Sequence, residues 1–370
     1  MRPIIKWPGG KSRELNRILP YIPPFQRYIE PFFGGGALFF HLCPAQAAVN
    51  DISPALIQFY RLIQAQDQEL YELLLCYDRS FQHLTALVRE EAGTLMEIFS
   101  RLYGGEMGAR QVGPALEEWI GARADRLLEG FDQRLLVDRD RFLAQLLRME
   151  EDKLRRTVSN HRKKPFSPKD LKENLVTGLT SGYYMYFRDV FNDIALGRGP
   201  QHTAGYQAAN FYFIRESCYG SMFRYNADGE FNIPYGGMTY NRKDMRAKID
   251  SMFSQEMRAL LANTQIGCGD FQQFLGGLQL NRGDFLFLDP PYDTDFSDYE
   301  GRDFTRADQV RLAQFLQGTP ARFILVIKNT QFIHDLYAGQ FQILNFDKRY
   351  AYNVRSRNRR DTEHLIITNI

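Results

Sequence analysis

Phe285-Leu286-Phe287-Leu288-Asp289-Pro290-Pro291-Tyr292 is an apolar run of strand length that stops at an acid, two prolines and an aromatic ring. Four apolar residues bounded by turn formers read as a buried strand, and the prolines end it because they lack the N–H that a ladder needs. Ligand sites in α/β sheets lie at the carboxyl ends of strands, which is where this spacing puts Asp289. The residue types then suggest a chemistry. The Asp289 carboxylate and the Pro290 carbonyl are two acceptors preset by the stiff Pro290-Pro291 turn. Together they can hold an amine whose lone pair is delocalised into a ring, so that the pair points at an electrophile. Tyr292 offers a face on which a base turned out of a helix can stack.

Outward from that strand, short apolar segments bounded by turn residues recur at 28–30, 47–50, 265–268, 323–328, 341–346 and 364–368. Helical stretches at 53–64 and 306–317 alternate with them, which predicts an α/β layer with a mainly parallel sheet. Residues 66–164 are helical in pattern instead, with Phe142, Leu146 and Met149 on one apolar face and a break near Gly104–Gly113. Beyond them lies an aromatic-rich stretch, 183–240, where Asp228-Gly229 marks a hairpin turn whose arms are expected to be polar and exposed. The expected organisation is a sheet domain from 1–64 and 241–370, with 65–240 inserted as a helical and target-reading region whose hairpin spans about 211–240.

The chain has 370 residues, 44% of them hydrophobic, and a formal charge of +2. Such a chain buries a large core, and its charge alone does not announce a nucleic-acid partner. The basic residues are concentrated in 153–169 and 348–360, and the second stretch alternates arginine with tyrosine. Cys43, Cys76, Cys218 and Cys268 lie far apart without a CxxC pair, which predicts core thiols and no metal site. The segment MRPIIKWPGG has no apolar run of signal length, and a cytoplasmic protein of prokaryotic or phage origin is expected.

A second motif supports a nucleoside-like ligand. Pro31-Phe32-Phe33-Gly34-Gly35-Gly36 turns from one predicted strand into a helix, and glycines there let a ligand approach the backbone. Asp51 follows at the end of the next strand, where an acid can accept hydrogen bonds from ribose hydroxyls. Gly9-Gly10-Lys11-Ser12 imitates a phosphate loop but fails its spacing, because Ile5 stands where the earlier glycine belongs. Lys11 remains able to reach a cofactor carboxylate.

On these residues the chain resembles the Dam-type DNA adenine methyltransferases, in which the glycine motif precedes the recognition region and Asp-Pro-Pro-Tyr follows it. The resemblance implies a Rossmann-like sheet, S-adenosyl-L-methionine as methyl donor, and N6 of a flipped-out adenine in double-stranded DNA as acceptor. It makes Asp289, Pro290, Pro291 and Tyr292 the catalytic motif. Trp7, Lys11, Phe33, Gly34, Gly36, Asp51, Asp270 and Phe271 would contact the cofactor, together with Asp289. The stretch 220–236 is similar to the family's DNA-reading hairpin, with Arg224, Asn226, Tyr219 and Ser221 as contacts. Arg224 could instead pair with Asp228 or Glu230. Tyr186, Arg188 and Asn192 more loosely resemble a segment near the cofactor pocket.

This chain has Gly220-Ser221 where many members have Asn-Gly, so their GATC target does not carry over. The long helical insertion has no counterpart in the compact members. A cognate restriction endonuclease is a functional counterpart whose existence the sequence leaves open. Two other readings compete. One is methylation of RNA or of a protein amide nitrogen, although protein-directed members more usually have Asn at the first motif position. The other is a catalytically inactive DNA-binding relative.

Overall fold

The strand that runs into Asp289 is the middle one of a seven-stranded sheet ordered β3-β2-β1-β4-β7-β9-β8. In chain order these strands are β1 (Arg27–Glu30), β2 (Ala47–Asp51), β3 (Thr264–Cys268), β4 (Asp284–Leu288), β7 (Arg322–Lys328), β8 (Gln342–Arg349) and β9 (Asp361–Thr368). Asp298–Tyr299 and Arg302–Asp303 (β5 and β6) pair separately. The computed structural model describes the chain apart from residues 293–297, 300–301 and 350–360 and the side chains of 293–303 and 347–362.

β3, β2, β1, β4 and β7 are parallel, and β9 runs antiparallel between β7 and β8. β2 and β4 are buried along their whole length, as expected of parallel strands covered on both faces. Ile29, Leu286, Leu288, Phe323, Leu325 and Ile367 meet in one core, each side chain contributing about 1.5–3 kcal/mol through burial. Each strand expected from the sequence is present, with bounds shifted by one to three residues. Short caps fix the crossovers. Ser53 accepts from the Leu56 N–H at 3.3 Å to start α3 (Pro54–Gln64), and Thr305 with Asp308 forms a capping box for α14 (Arg306–Gly318).

Two compact units divide the chain: Met1–Gln66 with Phe223–Tyr225 and Phe253–Ile370, and Asp67–Met222 with Asn226–Met252. The expected boundaries at 64 and 241 therefore move. Residues 241–252 go with the helices because the Met245 N–H donates to Asp78 at 2.9 Å and α11 (Arg246–Met252) packs on α4 (Gln68–Glu90). Phe223 goes with the sheet unit, its ring centroid 4.9 Å from that of Trp7.

The helical unit also contains α5 (Ala92–Gly104), α6 (Val112–Gly121), α7 (Ala124–Leu128), α8 (Arg139–Lys163), α9 (Pro168–Ala195) and α10 (Ala204–Ser217). The break near Gly104 is where α5 ends, with Gly105 at φ 82°. Residues 211–217, expected within the hairpin, are the second half of α10. That half is buried all round, so it carries no amphipathic stripe for a sequence reading to detect. The turn at Asp228-Gly229 does form, closed by Asn226 N–H to Glu230 O at 2.9 Å. Its arms are not the polar, exposed ladder expected. Phe231, Ile233 and Tyr235 are buried, and a lone antiparallel bridge joins Cys218 to Tyr235.

The cysteine reading needs a similar correction. Cys76 and Cys218 are buried, but Cys43 and Cys268 are exposed. Cys43 ends the short helix α2 (Ala37–Leu42) in a left-handed conformation, and Cys268 ends the edge strand β3.

Candidate active site at the carboxyl edge of the sheet

Asp289 leaves β4 with its side chain 18% exposed and pairs with the ammonium of Lys11, which is 2% exposed. Lys11 opens a 3-10 turn, Lys11–Arg13, and also donates to the Gly9 carbonyl at 3.1 Å and the Tyr292 hydroxyl at 3.3 Å. An ammonium has three protons, so Asp289, Gly9 and Tyr292 take its whole donor capacity. In this arrangement Lys11 is a partner of the Asp-Pro-Pro-Tyr motif. The rest of the motif is anchored from neighbouring elements. The Pro291 carbonyl accepts from the buried Gln309 of α14 at 2.8 Å, and the Tyr292 hydroxyl lies 3.2 Å from His364 Nε2 on β9.

Two acids stand beside this turn at the ends of β1 and β2. Glu30 is 3% exposed and accepts from the Tyr28 hydroxyl at 2.8 Å. Burial holds its carboxyl well above the usual carboxylate range, and the nearby charges of Asp289 and Asp51 push in the same direction. The sequence reading missed Glu30, although its place just before Pro31 at a strand end was the available signal. Asp51 is also raised by burial, against hydrogen bonds it accepts from the Gly34 N–H at 2.8 Å and the Ser53 N–H at 3.0 Å. One oxygen of Asp51 thus ties the glycine turn to the end of β2, and the carboxylate keeps some acceptor capacity for another donor.

The glycine turn is shaped by its neighbours. Gly34 has φ 49°, and a Cβ there would come within 2.6 Å of the Trp7 ring, so the indole closes against bare backbone. Gly36, at φ 62°, is crowded in the same way by Phe33 at 2.7 Å. The buried Tyr60 hydroxyl donates to the Gly34 carbonyl at 3.1 Å, so the Gly34 residue is held through both its N–H and its C=O. Phe33 was expected at the cofactor, but it is 2% exposed and packs with Phe39 and Tyr60. Its ring is core.

Asp270 and Phe271 have partners within the protein. Asp270 caps α13 (Phe271–Gly276) through the Gln272 and Gln273 N–H groups and pairs with Arg311 at 2.9 Å. That guanidinium holds the Asp270 carboxyl below its ordinary value. Phe271 is 3% exposed, enclosed by Phe32, Phe304 and the Arg311 guanidinium. Beside them Gly269 faces open space, and its carbonyl accepts from Asn50 at 2.9 Å.

The model of the D12 class of N6 adenine-specific DNA methyltransferases matches residues 7–91 and 128–352, which takes in the glycine turn, Asp51 and the Asp289 turn. The chain belongs to that family. As relatives, the Type II methyltransferase M.CviBI of Paramecium bursaria Chlorella virus NC1A is 25% identical over the whole of both chains. M.MjaIII of Methanocaldococcus jannaschii is 24% identical over 95% of this chain and 91% of its own. The DNA N-6-adenine-methyltransferase of Escherichia phage P1 is 24% identical over 85% of this chain and 28% of its own.

As an adenine-specific DNA methyltransferase, the chain acts on an exocyclic base amine, and the RNA, protein and inactive readings fall away. The view of the helical insertion narrows too. α4 and α8 to α10 fall within the matched residues, and only 92–127, which carries α5, α6 and the start of α7, lies outside. No helix among the described residues is long and apolar enough to cross a membrane.

The residues that the sequence suggests for reading DNA differ in their surroundings. Tyr219 is 42% exposed and Arg224 is exposed, so both are available to a large ligand. Ser221 is buried at φ 52°, and its carbonyl accepts from the fully buried Arg215. Asn226 spends its side chain on the turn, accepting from the Asp228 and Glu230 N–H groups and donating to Glu230. Glu230, considered as a partner for Arg224, pairs with Arg198 at 2.7 Å. Tyr186 and Asn192 lie on α9. Tyr186 accepts from the Asp138 N–H, and Asn192 bonds both the N–H and the carbonyl of Phe231. Both therefore have structural partners, while Arg188 lies 3.8 Å from Asp189.

The basic segment at 153–169 forms the end of α8 and the start of α9. Lys153 is half-buried, and Lys163, Lys164 and Lys169 are exposed. The other basic segment, 348–360, lies outside the residues whose side chains are described.

Proposed function

We propose that this methyltransferase takes S-adenosyl-L-methionine as methyl donor and holds N6 of an adenine turned out of duplex DNA against Asp289. The observation that carries this reading is the placement of Asp289, Lys11 and Tyr292 together at the carboxyl ends of β4 and β1. Several features suit the cofactor: the Gly34 turn closed by Trp7, the remaining acceptor capacity of Asp51, and the open space at Gly269. When bound, the sulfonium supplies the methyl group and the driving force.

The chain's own groups supply alignment. The Asp289 carboxylate and the Pro290 carbonyl accept the two amine protons, which turns the nitrogen lone pair out of conjugation and toward the methyl carbon. The Lys11 ammonium holds the Asp289 carboxylate in place. Tyr292 stacks on the displaced base. Once nitrogen has formed its bond to carbon it carries a positive charge, and its extra proton leaves through the Asp289 side or to water.

Tyr219 and Arg224 read the DNA, the guanidinium fork being suited to a guanine edge or a phosphate. Lys163, Lys164 and Lys169 contact phosphates and add salt dependence to binding. The test is incubation of the protein with plasmid DNA and S-adenosylmethionine labelled in its methyl group, followed by modified-base sequencing. Label in N6-methyladenine at one recurrent sequence, lost in Asp289→Ala, is the expected result. Label in the variant, or none in the parent protein, overturns the reading.

A further inference from the structure

The Tyr292 hydroxyl is held from two sides, and only one of them belongs to a motif. Lys11 Nζ lies 3.3 Å away and His364 Nε2 3.2 Å away. His364 is 0% exposed on β9, opposite Lys328 of β7 and Phe346 of β8. Its ring meets that of Tyr292 edge-on, with centroids 5.5 Å apart at 70°. The residues after it, Leu365, Ile366 and Ile367, are apolar and buried as a core strand requires. An imidazole in such a strand costs desolvation unless its nitrogens are bonded, so packing alone does not account for it.

An ammonium can only donate, so the hydroxyl oxygen accepts from Lys11, and its proton or its second lone pair meets His364 Nε2 according to the imidazole tautomer. A continuous chain then runs from His364 through Tyr292 and Lys11 to Asp289, and it fixes the tilt of the Tyr292 ring about its Cα–Cβ axis.

We propose that His364 is a positioning residue for methyl transfer, holding Tyr292 through its hydroxyl at the angle at which the ring clamps the turned-out adenine. This rests on the reading of Tyr292 as the stacking face. The sequence places His364 at the far end of the chain from every recognised motif, 72 residues after Tyr292, so only the fold brings the two together.

The experiment compares His364→Ala, His364→Gln, Tyr292→Phe and the double variant Tyr292→Phe/His364→Ala. Single-turnover methylation of plasmid DNA gives the rate, and calorimetry with S-adenosylmethionine gives cofactor affinity. His364→Ala and Tyr292→Phe are each expected to lower the rate about five- to tenfold, as loss of one neutral hydrogen bond would. Cofactor affinity should stay within about a factor of two, since neither variant touches the glycine turn. The double variant should be no slower than Tyr292→Phe alone, because that variant already removes the bond to His364.

His364→Gln, which can offer an amide oxygen to the hydroxyl, should recover most of the rate. Multiplying effects in the double variant, a parent-like rate in Tyr292→Phe, or no advantage of Gln over Ala would each overturn the proposal. Should His364→Ala fail to fold, the Tyr292→Phe and His364→Gln arms still decide it. Tyr292→Ala separates the two levels. If it keeps full activity, the stacking reading falls; if it is inactive while Tyr292→Phe is unaffected, only the role of His364 falls.

Discussion

Lys11 and Asp289 stand 278 residues apart in sequence, and the buried ammonium of the first lies on the carboxylate of the second. Lys11→Met would remove the buried ammonium from an Asp289 that stands beside Glu30 and Asp51, and removing one partner of a buried pair costs about 3–5 kcal/mol of stability. Asp289 retains some exposure, so a stability loss nearer about 2–3 kcal/mol is expected, and single turnover should slow because the carboxylate loses its fixed position. Cofactor affinity should fall much less. Calorimetry beside single-turnover rates distinguishes this from a cofactor-carboxylate role, in which affinity would fall and the saturated rate would survive.

Gly34 is constrained twice, by its positive φ and by the Trp7 indole at 2.6 Å from any Cβ. Gly34→Ala should therefore destabilise the turn by about 1–3 kcal/mol, from left-handed strain and displacement of the indole. The Asp51 and Tyr60 hydrogen bonds to residue 34 would shift with it. The expected outcome is a melting temperature lower by several degrees and a weakened calorimetric signal for S-adenosylmethionine. An unchanged affinity would show that this turn does not border the cofactor.

These two cases show what the sequence could and could not disclose. The sheet was legible because its parallel strands are buried on both faces and so appear as unbroken apolar runs, as in 285–288 and 323–328. Asp289 and the glycine turn were legible because their residue types are dictated by backbone geometry. The role of Lys11 was not. Which acceptors an ammonium meets depends on a contact across 278 residues that no local pattern encodes. That the rings of Phe33 and Phe271 are buried was not legible, because a motif fixes the backbone path of a residue without fixing how far its side chain is enclosed. Glu30 and His364 gave no periodic signal, Glu30 being the last residue of β1 and His364 following the polar run 361–363 of β9.

Arg224 and Asn226 were grouped in the sequence as DNA contacts, and the structure separates them. Arg224→Ala should cost about 1–3 kcal/mol of DNA binding, with relaxed choice at one base position or a smaller salt slope, and should leave cofactor affinity unchanged. Asn226→Ala removes the side chain that closes the turn through the Asp228 and Glu230 N–H groups, so its effect should be on stability and uniform across DNA sequences. Binding titrations against substrates varied one base at a time test both. A base-specific defect in Asn226→Ala would contradict its assignment as a turn former.

Glu150 is fully buried on α8 against Gly178 of α9, where a Cβ would lie 1.8 Å from its carboxyl oxygen. Burial pushes this carboxyl well above its ordinary range, against the charge of Lys153 and the Leu179 N–H. A raised folded value means that the native state binds the proton more tightly than the unfolded chain does. The associated stability is fully present below the unfolded value and is lost as pH rises toward and through the folded one. Glu150→Gln has no proton to lose. Its stability relative to the parent should therefore grow with pH, by up to about 1.4 kcal/mol per pH unit between the two values. Urea denaturation at pH 5, 7 and 9 measures this directly. A difference between parent and variant that stays constant across the series would mean that Glu150 is charged in the folded protein. Gly178→Ala should be destabilising at each pH, because it crowds the same carboxyl whatever its protonation.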